Sequence, residues 1–90
     1  MRSCSWEPEF QEQLAALEPN AKRADELIFG IDWVISRNPR EGSQIEETDV
    51  WYLISRDIPK RRHLIIYYTF TEEKVYFISV MESPLNTERN

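Results

Sequence analysis

Residues 61–80 read RRHLIIYYTFTEEKVYFISV. The stretch opens on three cationic or titratable side chains, turns apolar and aromatic, breaks at Thr71-Glu72-Glu73-Lys74, and turns apolar again. Two apolar runs rich in β-branched and aromatic residues, joined by a short polar connection, predict an antiparallel β-hairpin. Leu64, Ile66, Tyr68 and Phe70 alternate with Ile65 and Tyr67, while Val75, Phe77 and Met81 alternate with Tyr76, Ile78 and Val80. Strands apolar on both faces are expected to be central and covered on each side.

Upstream of the hairpin, Val50, Tyr52 and Ile54 alternate with Trp51 and Leu53, predicting a third strand, with a brief one over residues 43–47. Before Ser43 the period is helical. Phe10, Leu14 and Leu17 mark one face of a short helix that Pro8 opens and Pro19 stops. Asn20 is placed to cap a second helix over residues 21–37. Its main stripe is Ala24, Ile28, Ile31 and Ile35, widened by Leu27 and Val34, and Asn38-Pro39 with Gly42 ends it. Phe29 and Trp33 fall opposite that stripe: they either pack on the first helix or form an apolar patch for a protein partner. With a short edge strand over residues 1–6, the order is β-α-α-β-β-β. The fold class is α+β: an N-terminal strand and helical hairpin packed on an antiparallel meander sheet. Residues 1–82 form the domain, and the polar residues 83–90 are expected to be a disordered tail.

Composition narrows the function. A chain of 90 residues makes one small domain. No apolar run reaches the ~20 residues of a membrane span, and MRSCSWEPEF lacks the apolar core of a secretory signal. One cysteine excludes an internal disulfide and fits a cytoplasmic location; with one histidine as well, neither a metal nor a cofactor is expected. A net charge of −5 argues against a general nucleic-acid binder. The exception is local: Arg56, Lys60, Arg61 and Arg62 crowd one loop, offset only by Asp57. That run is either a solvated turn or a patch facing phosphate or an acidic partner.

This order of elements resembles the RelE/ParE superfamily of bacterial type II toxins. WEPEFQEQLAALEP is similar to the family's opening strand and first helix, and ADELIFGIDWVISRNPREG to its second helix with an Asn/Asp-Pro-x-x-Gly turn. VWYLISR is similar to its first main strand, and LIIYYTFTEEKVYFISV to its paired terminal strands. The resemblance covers residues 4–82. It implies a cytoplasmic growth-inhibiting toxin of the plasmid-stabilisation kind, neutralised by a cognate antitoxin. Such toxins either cleave mRNA on the ribosome without metal, as mRNA interferases, or poison DNA gyrase through protein contacts.

Metal-free cleavage needs a base for the ribose 2′-hydroxyl, cations for the phosphorane and an acid for the leaving oxygen. The chain departs from the nuclease pattern. Tyr52 and Ile54 stand where lysines are useful, Ile65 falls near the family's strand arginine, and no tyrosine or histidine follows Met81-Glu82-Ser83-Pro84. A residual catalytic set would be Arg56 and Arg62 on the phosphate with His63 moving the proton. Lys60 and Arg61, with Phe29 and Trp33, are the candidate partner-binding residues. Binding a target under antitoxin control is the leading expectation. The alternatives are an endonuclease with a rearranged site and a non-toxic relic serving as an interaction domain.

Overall fold

The computed structural model describes residues 1–84. The fold is α+β, as expected: β1 (Ser3–Trp6), α1 (Pro8–Leu17), α2 (Ala21–Arg37), a short 3-10 turn (Pro39–Glu41), β2 (Ser43–Gln44), β3 (Trp51–Asp57), β4 (Arg62–Phe70) and β5 (Lys74–Glu82). The strands make one five-stranded sheet in the order β1-β5-β4-β3-β2. β3, β4 and β5 form an antiparallel meander, and β1 returns parallel to β5 as one edge.

Local chemistry explains the helices. Pro8 sits in the first turn of α1, where its missing N–H costs nothing. The Asn20 side chain accepts a hydrogen bond from the Arg23 amide at 3.1 Å and so caps α2. At the far end of α2 the chain needs Gly42. A Cβ there would lie 2.5 Å from the Tyr68 hydroxyl and closer still to the Tyr52 carbonyl oxygen. Tyr68 is fully buried, and its hydroxyl donates to the Pro39 carbonyl at 2.5 Å, tying the turn after α2 to the middle of the sheet.

The core lies between the helices and one face of the sheet. Phe10, Leu14, Ile31 and Ile35 meet Leu64, Ile66, Tyr68, Val75, Phe77 and Val80. Trp6 stacks on Phe77 with ring centroids 4.0 Å apart, and Phe10 meets the same ring edge-on at 5.9 Å.

Several expectations need correction. The central strands are not covered on both sides: the helices pack on one face only, and Ile54 on the other is 52% exposed. The alternation along β5 breaks at a bulge. Tyr67 pairs with Ser79 but Tyr68 with Phe77, so Ile78 is an extra residue. The phase flips there, and Val80 joins Val75 and Phe77 in the core while Met81 turns outward. Gln13 of α1 secures the bulge, its Oε1 accepting from the Val80 amide at 2.8 Å and from the Ser79 hydroxyl at 2.9 Å. Phe29 and Trp33 do not pack on α1; they are 72% and 54% exposed, and Val34 is exposed beside them. Ser83, the first residue after β5, is buried, and its amide donates to the His63 carbonyl at 2.9 Å. The rest of the expected tail, residues 85–90, lies outside the described residues.

Candidate functional site

The β3–β4 hairpin decides which side chains can act together. Its register pairs Arg56 with His63, Ile54 with Ile65 and Tyr52 with Tyr67. These pairs alternate with Trp51–Tyr68, Leu53–Ile66, Ser55–Leu64 and Asp57–Arg62, which face the helices. The face away from the helices therefore carries a three-step ladder: an arginine–histidine pair, an aliphatic pair and an aromatic pair. Alternate residues of a strand are ~6.8 Å apart, so the ladder runs ~14 Å. The Tyr52 and Tyr67 rings lie 6.5 Å apart at its aromatic end, and the Tyr67 hydroxyl reaches the Met81 sulfur at 3.8 Å. Met81, opposite Ile65 on β5, extends the aliphatic step.

At the cationic end, Arg56, Ile58, Arg61 and His63 line a cavity of about 330 Å³. Arg61 reaches it through the turn after β3. Its amide donates to the Ile58 carbonyl at 3.0 Å, and its φ of 52° places it in the left-handed region. Among the described residues neither Arg56 nor Arg61 belongs to an ion pair.

Arg62 is not part of this site. As the strand neighbour of His63 it points to the opposite face, where its Nε donates to Asp57 Oδ2 at 2.9 Å. The buried Asp57 also accepts from Arg23 Nη2 of α2 at 2.6 Å. Lys60 bridges to Glu18 beyond the end of α1 at 2.9 Å, and Arg62 Nη2 lies 3.8 Å from the same oxygen. Arg23 also pairs with Glu26 at 2.9 Å. Three cations thus meet three carboxylates in a network that clamps the hairpin tip to the helices. The hydrogen bond from Lys60 holds the Glu18 carboxyl below the usual carboxylate range. The structure therefore groups the side chains differently from the expected set: Arg56 and Arg61 stand with His63, and Arg62 and Lys60 lie in the ion-pair network on the helix side. Adjacent strand residues must face apart, so the displacement of Arg62 was readable from the chain. The roles of Asp57 and Glu18, whose partners are remote in sequence, were not.

Tyr67 and Tyr68 split in the same way. Tyr68 is core, with burial pushing its phenol pKa up, and Tyr67 joins the open face. The lone thiol offers no nucleophile. Cys4 is pushed up to about 12, by burial first and then by the neighbouring Asp32, so it stays protonated at neutral pH. Among the described residues no group of three or more His, Cys, Asp and Glu side chains could hold a metal ion, and no helix is long and apolar enough to cross a membrane. No family model matches the chain, and no curated protein or solved structure does so either.

Proposed function

We propose that the chain is a RelE/ParE-like toxin of a type II toxin–antitoxin system, acting in the cytoplasm by binding a cellular target through the open face of its sheet. The antitoxin neutralises it by laying a segment with acidic residues along the same face, over Arg56, Arg61 and His63. The sequence resemblance over residues 4–82 supports the family reading. The observation that carries the binding mode is the centre of the ladder, where Ile54 and Ile65 pair. A ribonuclease needs cations there to stabilise a phosphorane; an aliphatic step flanked by Met81 and a tyrosine pair suits a protein surface.

A second reading, an mRNA endonuclease with a rearranged site, draws on the direct pairing of Arg56 with His63. That pair would bind phosphate and transfer a proton, with Tyr67 stacking on a base further along the ladder.

Induced expression separates the readings. Binding predicts growth arrest with mRNA intact, relieved by Ile54→Asp in a chain that still folds. Gyrase-dependent DNA damage would name the gyrase branch. Ribosome-coupled mRNA cleavage that is lost in His63→Gln would establish the nuclease instead. Absence of both arrest and cleavage would leave the non-toxic interaction domain.

A further inference from the structure

The face of α2 turned away from the core is built to meet itself. It carries Glu26, Phe29, Gly30, Trp33, Val34 and Arg37, which recur at three- and four-residue intervals and so form one stripe. Phe29 and Trp33 are the most exposed aromatic side chains on the helix. Single exposed apolar residues are ordinary, but a contiguous aromatic stripe bounded by charges marks an interaction surface.

The order of residues along the stripe says what fits it. Laid antiparallel on a second copy about a two-fold axis between residues 31 and 32, Gly30 faces Trp33, Phe29 faces Val34 and Glu26 faces Arg37. Each large side chain then meets a smaller one, and each charge meets its opposite. The two-fold repeats all three pairings, as an isologous interface requires. Gly30 has no heavy atom within 4 Å of where a Cβ would stand, so the monomer does not use the space above it. A glycine there lets helices approach to ~8 Å and leaves a seat for an indole. Trp33 is already oriented: the Arg37 guanidinium lies 3.3 Å from its ring centroid and donates to the Trp33 carbonyl at 3.1 Å. That stack fixes the indole and holds Arg37 at the end of the stripe, where Glu26 of the second copy would arrive. Glu26 carries its own partner, Arg23, yet its side chain remains 54% exposed and able to accept another donor.

We infer that α2 is a homodimerisation surface, with two copies packing antiparallel so that Trp33 of each seats on Gly30 of the other. The ladder on the sheet lies on the face opposite the helices, so a dimer would present two open sheet faces outward. The inference does not depend on the toxin reading. An interface of one helix face is small, and the dimer it makes is weak and concentration-dependent.

Analytical ultracentrifugation of the full chain over about a thousand-fold range of concentration provides the test. The wild type should pass reversibly from monomer to dimer. Gly30→Leu should remain monomeric at every concentration, yet melt at a higher temperature in dilute solution, because leucine is the better helix former and the site is open. Glu26→Lys or Arg37→Glu alone should each weaken the dimer by about tenfold or more through facing like charges. The double variant carrying both should regain most of the loss. A wild type that stays monomeric throughout would overturn the proposal, as would a Gly30→Leu dimer of unchanged affinity. A dimer lost in Gly30→Leu but not recovered by the double charge exchange would overturn the antiparallel pairing.

Discussion

Arg62 and Asp57, paired across the β3–β4 hairpin at 2.9 Å, join the tip of the hairpin to the helical layer, because Asp57 takes a second bond from Arg23 on α2. A carboxylate fully out of water is tolerable only with such partners. Asp57→Ala should leave two guanidiniums facing each other, with only Glu26 beside Arg23 and Glu18 beside Arg62. The expected cost is about 3 kcal/mol, measured by urea unfolding of wild type and variant. A loss below about 1 kcal/mol would mean that water replaces the carboxylate and that the clamp is weak.

Gln13 should matter for a different reason. Its Oε1 takes the Val80 amide at the β5 bulge. Gln13→Leu keeps the bulk but leaves that donor without its acceptor, at a cost of about 1–2 kcal/mol. Hydrogen exchange at Val80 should accelerate by more than at neighbouring β5 amides. Equal acceleration along the whole strand would assign the effect to α1 packing.

Glu18 carries a pH dependence of known sign. Lys60 lowers its folded-state pKa, so its stabilisation is fully present above the unfolded carboxylate value of ~4.3 and is lost as pH falls through the lower folded value. The chain should therefore lose stability on acidification through this range. Lys60→Met should flatten that acid limb by removing the largest cause of the shift. An unchanged slope between pH 5 and about pH 3 would place the acid sensitivity elsewhere.

Local signals carried most of the architecture. Pro8, Asn20 and Gly42 mark where helices begin and end, and the change of period near Ser43 separates helix from sheet. Two things resisted. The outward turn of Met81 depends on a bulge at Ile78 that Gln13 secures from another element, and nothing within β5 announces it. The clamp rests on Arg23–Asp57 and Lys60–Glu18, partners brought together only by the docking of helices on the sheet. The basic loop therefore looked like one patch in the chain, although its members divide between two faces. Arg62 and His63 did expose that division, since neighbours on a strand point apart.

The division between faces gives the most direct test of where function resides. Arg61 is exposed in a left-handed turn and has no ion pair among the described residues, whereas the Arg62 side chain is only 12% exposed and bonded to Asp57. Arg62→Ala should destabilise the fold by about 2–3 kcal/mol, and any loss of partner binding should vanish when binding is corrected for the folded fraction. Arg61→Glu should leave stability within about 0.5 kcal/mol while slowing association with an acidic partner and reducing its dependence on salt. Arg61→Gly should be more stable than Arg61→Glu, because glycine accepts the positive φ without strain. Stopped-flow association across a salt series, run beside urea unfolding, reads both quantities. If Arg62→Ala changes the salt dependence and Arg61→Glu does not, the working cations lie on the helix side of the hairpin, and the open face is not the site.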